Sequence, residues 1–397
     1  MRKIWLFVVL ASVFMVVSLL SLPSIAAETQ VIKIGAVNSL TGFMAAGESP
    51  GDPGMKIAVD WINDKGGITV KGAKYKLQLI AEDSKSSAEG MSAACIKLVE
   101  KDKVKFILGG VNPMMNIAAS SVTEPANVMR MVSYIVGNPE EAGPKFPLTF
   151  FANANMQGAR ALLTWIKETY PNVKTLAFPH PGEGGGVDSR RKNIEPIANQ
   201  LGMTVVFSEE FPGDTVDYTA YVKKGLATNP DAWVFTDGWA YMVAAQTKVL
   251  RRLGYKGPIA SIDPMIVSEV LQLAGPELSE GYASASWEMF SPHMTPVFKK
   301  DFLPRVMKTG NPNAWMVWGF NDAWAVAQAI ESAQSLDPVV VAKHLRTMKK
   351  VETLFGPATL GGEKTFGIKS ALCPPQAIFV AKKGKPEFVK WVQTETP

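Results

Sequence analysis

The sequence predicts an α/β protein with two doubly wound parallel sheets covered by helices. Three observations carry that expectation. Short apolar runs of strand length alternate with helix-periodic segments. The alternation runs through the chain twice, once before about Phe150 and once after it. It breaks near Gly281, where longer helical segments take over. Such alternation builds parallel sheets with helices on both faces.

Taken in order, "IKIGAV" reads as a buried strand. "GMKIAVDWINDKGG" reads as a helix, with Ile57, Ala58, Trp61 and Ile62 on one face and glycines closing it. "YKLQLIAED" and "KFILGG" are strands, separated by the helix "AEGMSAACIKLVEKD". "NIAASSVTEPAN" is a helix stopped by Pro125, and "RMVSYIV" is a strand. The second set opens with the helix "GARALLTWIKETY" and the strand "KTLAF". Pro196 predicts a kink or a late start in "SRRKNIEPIANQLG". "MTVVFSEE", "DAWVFTDG" and "PIASID" continue the strands, with helices between and after them. "GYASASW" is strand-like and leads into the late helices, of which "AWMVWGFNDAWAVAQAIESAQ" is the longest.

A chain of 397 residues is expected to hold two domains. Its 47% hydrophobic and 19% charged content are those of a globular protein. The N-terminus carries Arg2 and Lys3, an apolar run from Ile4 to Leu22, Pro23, and the small residues Ser24 and Ala26. That grammar predicts a secretory signal peptide over residues 1–26, cut near Ala26 or Ala27. No cysteine follows the run, so no lipid anchor is expected. Without Arg2 and Lys3, 39 basic residues face 36 acidic ones, a net +3. No basic stripe interleaved with aromatics is present, so nucleic acid is not an expected partner. Cys95 and Cys373 are too few for a disulfide scaffold and are expected to remain separate thiols.

In open parallel sheets, ligands sit beyond the carboxyl ends of the strands, where loops and helix N-termini converge. The first such end is "NSLTG", Asn38 to Gly42, followed by the apolar Phe43 and Met44. Asn38, Ser39 and Thr41 offer hydrogen bonds and Phe43 offers apolar wall, although the same residues serve an ordinary turn. Catalytic patterns are missing. His180, His293 and His344 are scattered, and neither a zinc-type spacing nor a Gly-x-Ser-x-Gly elbow occurs. "GEKTFGIKS" has the wrong register for a phosphate loop, and no cofactor is expected.

"IKIGAVNSLTG", "GMKIAVDWINDKGGI", "YKLQLIAEDSKSSAEGMSAACIKLVEKDKVKFILGG", "QGARALLTWI", "DYTAYVKKGLATNPDAWVF" and "VLRRLGYKGPI" follow one another in that order. Together they resemble the periplasmic solute-binding proteins of branched-chain amino-acid (leucine/isoleucine/valine) ABC transporters. The resemblance implies a type I periplasmic-binding-protein fold: two α/β lobes joined by a three-strand hinge. Lobe 1 would be residues 28–150 plus 287–362, and lobe 2 residues 151–286 plus 363–397. The crossovers would fall near Phe150–Ala152, Ser284–Trp287 and Gly361–Ala371.

The resemblance also implies site positions. Family members that bind amino acids carry serine or threonine after two strands of lobe 1, to hold the ligand carboxylate. This chain has Asn112, Pro113 and Met114 at the first place and Val136, Gly137 and Asn138 at the second. Pro113 lacks both hydroxyl and N–H. In lobe 2, Gly185 sits within three glycines where the family often has a tyrosine. Trp239 falls where an aromatic stacks on the ligand, and Asp263 where an acid pairs with a ligand ammonium. The expected ligand positions are therefore Thr41, Phe43, Asn112, Met114, Val136, Gly137, Gly185, Trp239 and Asp263. The expected function is capture of a small organic solute, a branched-chain or other apolar amino acid, by hinge closure. An aromatic acid or an amide or urea compound is the alternative solute. A ligand sensor of the same fold is the alternative role, disfavoured because the chain ends at "TETP" without an output domain. A periplasmic, non-enzymatic monomer docking on membrane permease subunits is the implied setting.

Overall fold

A computed structural model describes residues 30–134, 139–153, 155–182, 193–262 and 265–395. The first sheet has strands β1 (Gln30–Asn38), β2 (Ile68–Val70), β3 (Ala73–Asp83), β4 (Phe106–Leu108), β5 (Met129–Val132) and β6 (Thr149–Phe151). Three late strands, β14 (Val351–Thr353), β15 (Gly356–Gly361) and β16 (Ala371–Cys373), complete it. Its order is β14-β15-β16-β6-β5-β4-β1-β3-β2. The strands from β3 to β16 are parallel, whereas β2, β15 and β14 run antiparallel to their neighbours. The second sheet runs β18-β17-β13-β12-β11-β7-β9. Its parallel part is β7 (Thr175–Ala177), β9 (Thr204–Phe207), β11 (Ala232–Phe235), β12 (Ile259–Ser261) and β13 (Tyr282–Ser286). The hairpin β17 (Gln376–Lys382) and β18 (Lys385–Val392) closes one edge. A short pair, β8 (His180–Pro181) with β10 (Glu210–Phe211), stands apart.

Helices cover both sheets, as the alternation predicts. In the first lobe they are α1 (Ala45–Glu48), α2 (Gly51–Asp64), α3 (Ala88–Ile96) and α4 (Pro113–Thr123). The second lobe has α5 (Asn155–Thr169), α6 (Glu195–Gln200), α7 (Thr219–Leu226), α8 (Ala240–Arg252) and α9 (Val267–Ala274). Pro196 falls in the first turn of α6, where its missing N–H costs nothing. The late helices α10 (Leu303–Lys308), α11 (Met316–Ala333) and α12 (Pro338–Leu345) follow β13.

The late helices return to the first sheet, and glycine is the reason they fit. A Cβ on Gly319 of α11 would stand 1.9 Å from the Gly51 carbonyl oxygen of α2. The two backbones therefore touch. Around that contact Trp61 packs against Phe320 and Trp324, with ring centroids 5.3 and 5.1 Å apart. Trp61 Nε1 donates to Asp301 Oδ1 at 3.0 Å.

The chain passes between the sheets after β6, after β13 and after β16. The third crossing lies downstream of the Gly361–Ala371 segment named from sequence. Ala371 pairs with Gly361 on one side and Phe151 on the other, so β16 still belongs to the first sheet. Pro374 and Pro375 then end the strand, since neither donates to a ladder. The second sheet is rejoined at Gln376. Cys95 and Cys373 are both buried and form no disulfide, as expected.

Because the α2–α11 contact is backbone on backbone, a side chain there forces the helices apart. Gly319→Val should lower unfolding stability by about 1–3 kcal/mol or more, read from chemical denaturation. Wild-type stability in that variant would contradict the close approach.

Candidate functional site

The carboxyl end of β1 is locked to its neighbours by side chains. Asn38 Nδ2 donates to Asp52 Oδ1 at 2.6 Å, and its Oδ1 accepts from the Gly110 amide at 3.1 Å. Asn38 thus ties β1 to α2 and to the loop after β4. The Ser39 amide donates to Glu48 Oε2 at 2.7 Å, and its hydroxyl meets that of Ser84 at 2.9 Å. Asp83, the last residue of β3, then collects the loop. Its Oδ1 accepts from the amides of Leu40, Thr41 and Lys85, and its Oδ2 accepts from the Thr41 hydroxyl at 2.6 Å. Burial acts to raise the Asp83 carboxyl, but the bonds from Thr41, Lys85 and Leu40 prevail and hold it below its usual value.

Each expected site residue in the described segments has a definite place. The hydroxyl of Thr41 is engaged by Asp83 within its own lobe. Asn112 caps α4, its Oδ1 accepting from the amides of Met114 and Met115 at 3.0 and 3.3 Å. Phe43 and Met114 are exposed, by 71% and 60%. Trp239 is the N-cap residue of α8, in extended conformation, reached from β11 through Thr236, Asp237 and Gly238. Val136, Gly137, Gly185 and Asp263 lie outside the described residues.

Trp239 reaches across to the other lobe. A Cβ built on Gly47 of α1 would stand 2.1 Å from its Cη2. The indole therefore rests on bare backbone, and any side chain at residue 47 would occupy the same space. This contact joins the start of α8, which follows β11 in one lobe, to α1, which follows β1 in the other. The strand ends of the two sheets face each other across it.

A cavity of about 20 Å³ lies among the three crossings. It has room for about one water. Tyr134, Asn153, Ile262, Ser286, Trp287 and Trp318 are among its lining residues. Tyr134 stacks on Trp318 with centroids 5.2 Å apart and planes 15° apart. Trp287 meets Trp318 edge-on at 6.1 Å and Phe355 at 5.6 Å. Asn153 Nδ2 donates to the Ser133 carbonyl at 3.1 Å. The buried Ser286 hydroxyl has no hydrogen-bond partner among the described residues.

Three buried carboxyls stand at the roots of the cleft loops. Glu48 holds Ser39, Asp322 of α11 bonds the hydroxyl of Ser133, and Glu288 holds the amide of Ser268 at 3.0 Å. Burial raises Glu48, pushes Asp322 well above its ordinary value, and lifts Glu288 to about 7. None is ion-paired in the described structure.

Sequence reasoning missed Gly47, Glu48, Ser286 and the hinge aromatics. Trp287, Trp315, Trp318 and Trp324 crowd into one stretch, and that density was a usable signal. Gly47 offered none, since its role depends on a residue far along the chain. His180 is buried, its Nδ1 lying 3.1 Å from the Phe178 carbonyl oxygen, which suits a structural histidine. No group of three or more His, Cys, Asp or Glu with metal-binding geometry occurs among the described residues.

Two parallel-sheet lobes joined by three crossings, with their strand ends facing, form a bilobed α/β fold with a cleft between the lobes. The chain belongs to the periplasmic binding protein family, whose model matches residues 31–371. A curated relative, the Leu/Ile/Val-binding protein homolog 1 of Brucella melitensis, is 25% identical over 337 residues, covering 82% of this chain and 85% of the relative. The fold is also that of the branched-chain amino acid transporter substrate binding protein of Streptococcus pneumoniae, solved with isoleucine. That match has a TM-score of 0.71 at 18% identity and covers 92% of this chain and all of the other. A solute binding protein of an ABC transporter from R. palustris, solved with 4-hydroxybenzoate, matches with a TM-score of 0.73 at 17% identity, over 93% and 98% of the two chains.

The tight seat of Trp239 yields a test of the interlobe geometry. Gly47→Val should hold the lobes apart, seen as a larger radius of gyration in small-angle X-ray scattering. An unchanged scattering profile would mean that the contact does not limit closure.

Proposed function

We propose that the protein is the solute-binding component of an ABC importer, capturing a small organic solute by closing two lobes over it. Trp239 carries the reading: it bridges the start of α8, after β11, and α1, after β1, at the mouth of the cleft. Closure brings contacts from both lobes onto one guest, so the guest stabilises the closed form. The closed form then docks on membrane permease subunits. No chemical step is assigned to the site, and no cofactor is needed. Residues 1–26 act as a cleaved leader and direct the protein to the periplasm, where it works as a monomer.

The lobe boundaries proposed here follow sheet membership. Lobe 1 comprises residues 30–151 and the segment after β13 up to Cys373. Lobe 2 comprises the remainder, including β17 and β18. Phe43 and Met114 supply apolar rim, Trp239 supplies a stacking face, and Asp263 supplies the acid for a cationic or hydrogen-bond-donating group. Val136, Gly137 and Gly185 are the further ligand positions proposed from the sequence. Thr41 and Asn112 act indirectly, by shaping their loops through Asp83 and the α4 cap.

An apolar amino acid, branched-chain in the first instance, is the leading solute, in keeping with the Leu/Ile/Val-binding relative. A second reading has its own support. Tyr134, Trp287 and Trp318 wall the inner cavity, and Pro113 removes a donor that a carboxylate would use. The aromatic walls suit an aromatic acid or an aromatic amide, and the missing donor favours the amide over a carboxylate.

A thermal-shift panel of branched-chain amino acids, hydroxybenzoates, amides and ureas tests both. A solute at a hundredfold its dissociation constant adds about 2.7 kcal/mol. Trp239→Ala and Asp263→Ala should each weaken the successful solute at least tenfold, about 1.4 kcal/mol. Unchanged isotherms in both variants would remove these residues from the site.

A further inference from the structure

We propose that Glu288 is a positioning residue for the solute site, holding the first turn of α9 and the loop before it from the hinge. Glu288 sits in the second crossing, directly after the cavity residue Trp287, and is only 4% exposed. Its Oε1 accepts from the Ser268 amide at 3.0 Å, and the Ser268 hydroxyl and Val267 amide also bear on the carboxylate. The loop is held from a second side too, since the Tyr282 hydroxyl of β13 donates to the Met265 carbonyl at 3.3 Å. Ile262, at the other end of that loop, lines the inner cavity. The hinge thus grips the loop that the solute-binding reading places in the site, and that reading supplies the loop's role.

The charged and titratable neighbours are few. Glu269 of α9 and the buried Tyr282 of β13 act on Glu288, and no cation is among the groups that do. Burial lifts the Glu288 carboxyl to about 7 against the opposing hydrogen bonds, and Glu269 is raised by the same cause. Ionised, Glu288 makes charge-assisted bonds to the α9 amides, roughly twice as strong as neutral ones. The grip on the loop therefore tightens as pH rises through about 7.

Global stability moves the opposite way. The folded carboxyl binds its proton more firmly than the unfolded one. Its contribution is full below the ordinary carboxylate range and is lost as pH rises through about 7. A glutamine keeps the accepting oxygen but has no charge to gain. Glu288→Gln should remove both dependences while preserving the fold.

The experiment follows backbone amide resonances of Met265, Ile266 and Ser268 by ¹⁵N NMR from about pH 6 to about pH 8, in wild type and Glu288→Gln. The wild-type signals should move together with one midpoint near 7, and those of the variant should stay still. Motionless wild-type signals, or the same movement in the variant, would overturn the proposal. Isoleucine and 4-hydroxybenzoate are then titrated into the same samples. Whichever binds should do so roughly threefold or more tightly at the higher pH in wild type, and equally at both in the variant. Binding without that difference overturns the link to the site. If neither compound perturbs any amide, the choice of solute fails while the loop titration still stands or falls on its own.

Discussion

Trp239 rests on Gly47 only because that residue has no side chain, and the rest of the molecule is arranged around this approach. A parallel sheet gathers its loops at one end. Two such sheets, placed with those ends face to face, leave a cleft whose width depends on what stands between them. Here an indole from one lobe meets bare backbone from the other. Bulk on either side would move both lobes, because each loop is tied into its own sheet. Asn38 and Asp83 make that tie in the first lobe, through six hydrogen bonds that leave the β1 loop little freedom.

A second regularity lies one layer deeper. Glu48, Asp322 and Glu288 come from three distant parts of the chain, yet each is buried and bonded to a serine at the root of a cleft loop. A carboxyl without a cationic partner is costly to bury. Such groups raise their proton affinity instead, and all three do. Glu288 stands in the second crossing and Asp322 on a helix that follows it, so hinge and loops share the same supports. Around the small inner cavity, Tyr134, Trp287 and Trp318 give those segments a stiff aromatic packing.

Much of the fold was legible in the sequence because it is written in local periodicity. The two rounds of strand and helix and the restart near Phe150 follow from apolar spacing and turn residues, whereas the return of the late helices to the first lobe was implied by the family resemblance alone. The third crossing was not legible. β16 is three residues long, and its membership of the first sheet rests on pairing with Phe151, more than two hundred residues away in the chain. The antiparallel additions β2, β14 and β18 were equally hidden in short or alternating runs. The site was readable as a set of loops, but not as a set of contacts. Thr41 and Asn112 were picked out as polar groups at strand ends, and the structure gives both partners within their own lobe. Nothing in "AAGES" marks Gly47 as the seat of a tryptophan.

The distance between the lobes, with and without solute, tests the central claim most directly. Nitroxide labels at Lys56 in the first lobe and Lys224 in the second sit on exposed side chains. Pulsed electron resonance should give a longer, broader separation in the solute-free protein. A solute that raises the melting temperature should draw it into one shorter distance. An identical distribution with and without such a solute would contradict closure of the two lobes over a guest.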